Sequence, residues 1–239
     1  MNKIEICFAP ELYENYHNEN SVVVIVDVLR ATSSICAAFV NGVKRIIPVA
    51  TIDEAKAYKA KGYLVASEKD GIKREFADFG NSPHHFSKEN IGGKELVYNT
   101  TNGTRTIHKA VGCKQIAIGS FANLKAISEW VLNHNCDLVV LCSGWKGRFN
   151  LEDTLFAGAL AELVLQHPNY ETICDSTLAA IDLWKIAKED LPEYIKKVAQ
   201  YTRLNKNGNG DCIAYCITAD STNIIPVFED FYLKRFEGK

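Results

Sequence analysis

Short runs of apolar, mostly β-branched residues recur along this chain, and most hand over to a stretch with helical periodicity. That alternation narrows the available folds more than any other feature. "IEICFA", "VVVIVD", "VKRIIPVA", "YLVASE", "KELVYNT", "KQIAIGS" and "CDLVVLCSG" read as strands. "SSICAAFVNG", "TIDEAKAYKAKG", "NLKAISEWVLNHN", "NLEDTLFAGALAELVLQH" and "STLAAIDLWKIAKED" read as helices. The pattern predicts an α/β protein. Several strands are apolar throughout rather than alternating, which suits a sheet covered on both faces. The expected architecture is a three-layer α/β/α arrangement around a mixed, largely parallel sheet. Thr51 and Glu54 stand in capping-box spacing, and Gly42 and Gly62 are placed to end their helices. No Ser/Gly linker, low-complexity tract or fixed-period repeat interrupts the chain, so residues 1–239 are expected to form one domain.

Composition excludes several functions. At 239 residues and 47% hydrophobic, the chain can bury a large core. Its formal charge of −2 offers no global basic field, so no nucleic-acid partner is expected. "MNKIEICFAPEL" lacks the pattern of a signal peptide, and no apolar run approaches the ~20 residues of a membrane span. The eight cysteines are scattered and form no CxxC pair. They read as reduced, mostly buried thiols, and the expected setting is the cytoplasm, away from membranes.

"VVVIVDVLRATSSI" poses the functional question: a dry strand ends on Asp27, with Arg30 three residues later and a Thr-Ser-Ser run behind it. Other strands end in similar material. Ser67 and Glu68 follow "YLVA", "NTTNGTRT" follows "KELVY", and "CSGWKGRFNLED" follows "DLVVL". Each has a bland reading: Asp27 as a cap, Glu68 as a solvated turn carboxylate, "TTNGT" as an Asn-Gly turn, and Asp153 as a first-turn acid of its helix. Their recurrence is what favours function, because open α/β sheets gather ligands beyond the carboxyl ends of their strands.

These residues suit phosphoryl transfer. Asp27, Glu68, Glu152 and Asp153 are hard oxygen ligands of the kind Mg²⁺ takes, and they form the candidate metal set. Arg30, Arg74, Arg105 and Arg148 offer forked donors to phosphate or carboxylate oxygens. Asn102, Gly103 and Thr104 in one loop, and Ser143 and Gly144 in another, put hydroxyls and backbone N–H groups near helix starts, where anions bind. Asp27, Arg30, Glu68 and Arg105 are the candidate catalytic residues. No GxxxxGK[ST] loop is present, and Asp27-Val28-Leu29 lacks the second acid of a DxD phosphatase. A rival mechanism stays open in "CSGWKGR", whose C-x5-R spacing would make Cys142 a nucleophile beside Arg148. A non-catalytic binder of a phosphorylated metabolite is the third reading.

"VVVIVDVLRATSSICAAFVNG", "SEKDGIKREFADFGNSPHHF", "VYNTTNGTRTI", "GSFANL" and "CSGWKGRFNLEDTLFAGAL" together resemble the 2-phosphosulfolactate phosphatase (ComB) family, as does the closing "DCIAYCITADSTNIIPVF". The resemblance implies a mixed α/β fold of that family. It also implies a Mg²⁺-dependent phosphohydrolase releasing phosphate from 2-phospho-3-sulfolactate, a step towards coenzyme M. Such a substrate carries about −1.5 to −2 on its phosphate, and its carboxylate and sulfonate are also ionised at neutral pH. A near-neutral protein must therefore concentrate cations locally to hold it. The oligomeric state stays open, a homodimer included.

Overall fold

The computed structural model describes residues 1–238. The first half of the chain forms β1 (Asn2–Cys7), β2 (Val22–Val26), α1 (Ala31–Val40), β3 (Arg45–Pro48), α2 (Ile52–Ala60), β4 (Leu64–Lys69), β5 (Ile72–Lys73), α3 (Lys88–Ile91) and β6 (Glu95–Asn99). The second half forms α4 (Gly103–Lys109), β7 (Gln115–Gly119), α5 (Leu124–His134), β8 (Leu138–Cys142), α6 (Leu151–Val164), β9 (Tyr170–Glu171) and α7 (Asp175–Ala187). It closes with α8 (Leu191–Tyr194), α9 (Ala199–Lys206), α10 (Ile213–Ile217), β10 (Pro226–Glu229) and β11 (Tyr232–Arg235).

Local chemistry sets these boundaries. At the start of α2 the Thr51 hydroxyl accepts the Glu54 N–H at 3.2 Å, and the Glu54 carboxylate accepts the Thr51 N–H at 2.8 Å. Gly62, at φ +86°, ends the same helix in the left-handed region that glycine enters without steric cost.

The five residues of β2 are all fully buried, and their period-two alternation divides them between two cores. Val22, Val24 and Val26 pack with Ile4, Ile6, Leu138 and Val140 against α5 and α6. Val23 and Ile25 face the opposite way, towards Ile35 and Phe39 of α1, Phe86 and Ile107. A strand buried on both faces has no solvent side to carry polar residues, which is why "VVVIV" is continuous. A third cluster, Ile47, Val49, Val65 and Val97 with Ala55 of α2, covers the outer strands.

The eleven strands of the described residues join one sheet, in the order β5-β4-β6-β3-β11-β10-β7-β2-β8-β1-β9. Strands β7, β2, β8, β1 and β9 are mutually parallel, and so are β3, β6 and β4. The C-terminal hairpin β10–β11 links the two groups, pairing antiparallel with β7 on one side and with β3 on the other. The two parallel groups therefore run in opposite senses. Even so, the loop after β6 touches the loop after β2: a Cβ added to Gly103 would lie 2.6 Å from the Ala31 Cβ and 3.1 Å from Asp27 Oδ2. The carboxyl ends of β2 and β6, one strand from each group, therefore meet at one place. No helix among the described residues is long and apolar enough to cross a membrane.

Candidate active site

The Thr-Ser-Ser run fastens the strand end to the helix that follows it. The Thr32 hydroxyl accepts the Asp27 N–H at 3.1 Å and donates to the Asp27 carbonyl at 3.0 Å. The Ser33 hydroxyl donates to the Val28 carbonyl at 2.9 Å. Asp27 Oδ1 accepts the Ala31 N–H at 3.2 Å, so the acid does serve the start of α1. Its other oxygen, Oδ2, points towards Gly103. The Leu29–Arg30 peptide is cis, and Arg30 is 3% exposed.

Around this turn lies a narrow hollow of about 20 Å³, lined by Asp27, Arg30, Glu68, Asn102, Asn150 and Glu152, with Gln200 and backbone completing its wall. That volume admits a single water-sized occupant. Not every acid is equally free to face it. Glu68 accepts the Thr101 N–H through Oε1 and the Gly71 N–H through Oε2, both at 2.6 Å, and so clamps two loops together. Asp153 accepts the Val28 N–H at 2.8 Å and the Gly144 N–H at 3.3 Å, and so pins the loops after β2 and β8. Glu152 is 2% exposed and takes one hydrogen bond, from Asn150 Nδ2 at 3.2 Å. Among the described residues, the hydrogen bonds that side-chain and backbone donors make to these two acids go to Asp27 Oδ1 and Glu152 Oε1, and none goes to Asp27 Oδ2 or Glu152 Oε2.

The acids crowd one another. Burial first, then the charge of its acidic neighbour Glu68, pushes Asp27 up to about 6 against the opposing pull of backbone N–H groups. Burial first, and then the charge of Asp27, pushes Glu152 up to about 7. Asp153 is driven well above the carboxylate range by burial and by both of these neighbours.

Such a cluster is costly to ionise unless a cation joins it. One further atom points the same way. Asn150 Oδ1 is buried with no hydrogen-bond partner, while its amide nitrogen is committed to Glu152. Two carboxylate oxygens and an orphaned amide carbonyl around an ion-sized hollow fit Mg²⁺, which takes a few protein oxygens and keeps water and substrate for the rest. Among the described residues no three His, Cys, Asp or Glu side chains form a ready-made metal cage, so an all-protein site does not fit.

Beside the hollow, sharing Asn102, opens a pocket of about 390 Å³ lined by Arg105, His108, Lys109, Ser143 and Lys146, with Thr101, Thr106 and Glu11. The Ser143 hydroxyl is buried there without a partner. Gly144 makes the turn beneath it at φ +60°, and a Cβ there would meet the Arg148 carbonyl at 2.5 Å. The same loop is tied across the opening. Lys146 pairs with Asp70 at 2.8 Å, and the Trp145 ring lies 4.3 Å from the Arg203 guanidinium.

The structure brings together Asp27, Arg30, Glu68, Asn102, Gly103, Arg105, Ser143, Gly144, Glu152 and Asp153. Thr104 lies beneath them, exchanging hydrogen bonds with Thr100 at 3.2 Å. Two arginines stand outside both cavities. Arg74 lines an open groove with Lys56, Lys69 and Lys73. Arg148 is exposed, and its backbone closes the turn by pairing with Trp145.

Cys142 is fully buried, its thiol raised well above the ordinary range by burial first and by the charge of Asp153 next, which is the opposite of what a nucleophilic thiolate needs. All eight cysteines are free. Sequence reasoning missed Asn150, Lys146, Lys109 and Gln200. Asn150 and Lys146 lie inside a loop it had singled out, whereas nothing in the pattern marks Gln200.

These features define an α/β protein with a buried acidic hollow opening beside a cationic pocket. The chain belongs to the 2-phosphosulpholactate phosphatase family, whose model matches residues 7–230. Among its relatives, the "Probable 2-phosphosulfolactate phosphatase" of Clostridium novyi (strain NT) is 34% identical, covering 95% of this chain and 97% of the relative. A protein of the same description from Pseudothermotoga lettingae is 35% identical over 97% and 99% of the two chains. Another, from Thermotoga maritima, is 36% identical over 89% and 92%.

Proposed function

We propose that this protein hydrolyses 2-phospho-3-sulfolactate, or a closely related small phosphorylated hydroxy acid, with Mg²⁺ held at the acidic hollow. The observation that carries the reading is the pairing of two cavities of opposite character. The hollow gathers buried, mutually repelling carboxylates around an orphaned carbonyl, and the adjoining pocket gathers Arg105, Lys109 and Lys146. A multiply charged phosphate ester spans such a pair, with its phosphate at the boundary and its acidic groups among the cations.

Asp27, Glu152 and the Asn150 carbonyl would hold the metal, with Glu68 and Asp153 fixing the loops around it. When bound, Mg²⁺ polarises the phosphoryl oxygens and acidifies a water. Arg30, at the wall of the hollow, binds the charge that spreads over the equatorial oxygens as the ester bond breaks. Arg105 and Lys146 orient the substrate from the pocket side. The unpartnered Ser143 hydroxyl is free to donate to a substrate oxygen. The leaving alcohol is the hydroxy acid itself, 3-sulfolactate on a route to coenzyme M.

Phosphate release from a panel of small phosphorylated acids, with and without Mg²⁺, tests the reading. Mg²⁺-dependent release that is fastest with substrates bearing a second acidic group is the expected result. Release that persists in excess EDTA, or none from any member of the panel, overturns it.

A further inference from the structure

We propose that Cys212 is a positioning residue for this site: its sulfur, buried against the Arg30 guanidinium, keeps that fork turned towards the hollow. The kinetic part of the inference rests on the phosphohydrolase reading, while the geometry beneath it does not. Arg30 is almost wholly buried, yet among the described residues no ion pair joins it to a carboxylate. Its two hydrogen bonds run from Nη2 to the Gly71 carbonyl at 3.2 Å and from Nη1 to Cys212 Sγ at 3.7 Å.

Those two anchors are themselves connected. Asn207 Nδ2 donates to the Asp70 carbonyl, one residue before Gly71, at 3.3 Å. Asn209 N–H donates to the Leu204 carbonyl at 2.8 Å, which fixes the turn leading into Cys212. The 207–212 segment and the 70–71 turn thus close on Arg30 from two sides.

Cys212 is fully buried, at the end of the tight turn Gly210–Cys212 that precedes α10. As a thiol, its Sγ donates to the Asn209 carbonyl at 3.2 Å. As a thiolate it is met by several donors. The Cys216 thiol, the Arg30 charge and fork, and the Ser82 hydroxyl together lower Cys212 to about 6, with the Cys216 hydrogen bond the largest effect and burial opposing. Cys216 itself stays protonated, raised by burial first and then by Cys212. Other ionisable groups near this patch are His85, whose pKa burial lowers first and the Arg30 and Lys73 charges lower further, Asp211 beside it, and Asp27 and Glu68 in the hollow wall that Arg30 shares.

The choice of sulfur has a physical reason. A buried guanidinium needs a counter-charge, and metal bound at Asp27 and Glu152 would draw on the nearest carboxylates. A carboxylate facing Arg30 would grip the fork bidentately and compete with phosphate for it. A single soft sulfur balances the charge through one N–H and leaves other donors of the fork free.

The ultraviolet absorbance of thiolates, followed against pH in the whole protein and in Cys212→Ser, reads the ionisation directly. One thiolate appearing near 6 and missing from the variant is expected. Ionisation only near the ordinary ~8.5 of a free thiol overturns the proposal. Cys212→Ala replaces the serine variant if that does not fold. If neither folds, the same titration of Arg30→Ala decides: a thiolate that ionises at higher pH than in the native protein supports the contact, and an unchanged curve overturns it. The kinetic arm is a double-mutant cycle with Arg30→Ala. Cys212→Ser should lower kcat about tenfold in the native background and change nothing further once Arg30 is gone. Equal losses in both backgrounds overturn the positioning role. If no phosphorylated acid is hydrolysed, the functional reading fails, and the thiolate titrations of the native protein and Arg30→Ala, compared, decide this inference.

Discussion

Asp153 and Asp27 share a link through the backbone: Asp153 Oδ1 accepts the N–H of Val28, the residue after Asp27, at 2.8 Å. The first-turn acid of α6 therefore fixes the strand end on which Asp27 stands. The same carboxylate reaches Gly144, so the loops after β2 and β8 are set by one side chain. Their spacing, and with it the width of the hollow, follows from a buried acid that faces away from solvent. The two acids also repel one another, and that repulsion makes the site chemically poised.

The Asp27→Asn substitution separates the roles of Asp27. Asparagine retains an oxygen for the Ala31 N–H and caps about as well as aspartate. The fold should survive. Because one of several crowded buried charges is removed, the metal-free protein should melt higher, by about 2–4 °C for each ~1 kcal/mol relieved. Mg²⁺ affinity and turnover should fall at least ~100-fold. Circular dichroism, Mg²⁺ titration and phosphate release check all three. A folded variant with near-normal Mg²⁺-dependent turnover would sink the metal role of Asp27.

The cations should divide by location. Arg30 lies at the hollow, so Arg30→Ala should depress kcat. Arg105 and Lys146 line the larger pocket, so their alanine variants should mainly raise KM, by about tenfold each. Arg74 and Arg148 stand outside both cavities, and their loss should change neither constant by more than about twofold. Steady-state kinetics on the five variants give the answer. A kcat defect in Arg148→Ala would show that the exposed loop closes over the substrate.

Cys142 should be dispensable. Cys142→Ser should keep activity within about threefold, the modest change reflecting a hydroxyl placed in a dry core. Chelation should abolish activity in both proteins. The opposite pattern, resistance to EDTA with loss in the serine variant, would restore the thiol mechanism.

Much of this was legible in the sequence, for identifiable reasons. Doubly buried strands have no polar face, so "VVVIV" and "DLVVL" announce themselves, and capping chemistry marks α2 at both ends. Acids and hydroxyls at strand ends located the hollow. The closing hairpin was hidden because its turn residues, Asp230 and Phe231, both adopt positive φ without the Asn-Gly or Asp-Gly pair that usually signals it. The opposite sense of the two parallel groups depends on that hairpin, so it was hidden too. Gln200 reaches the hollow from α9 and donates to the Leu29 carbonyl at 3.1 Å, a contact across 171 positions that no local pattern encodes. Arg74 and Arg148 sit near the right loops in sequence but on the wrong side of them in space. Neighbouring positions in a turn point in different directions, and spacing alone does not say which.

The acid cluster also dictates how stability should respond to pH and metal. Asp27 and Glu152 are raised to about 6 and about 7 in the folded protein. Their ordinary values are about 3.9 and 4.3. The folded state therefore binds these protons more tightly than the unfolded chain does. The stabilising effect is complete below about pH 4 and is lost as pH rises through 6 and 7. Asp153 shifts in the same direction. Metal-free protein should thus lose melting temperature between pH 5 and pH 8 on account of this cluster. Mg²⁺ binds the ionised form, so it should raise the melting temperature at pH 8 and do little at pH 5, where protons hold the same oxygens. In Asp27→Asn the pH dependence and the Mg²⁺ effect should shrink together. Thermal melts across this range, with and without Mg²⁺, need no substrate. Equal Mg²⁺ stabilisation at both pH values would place the ion elsewhere on the protein.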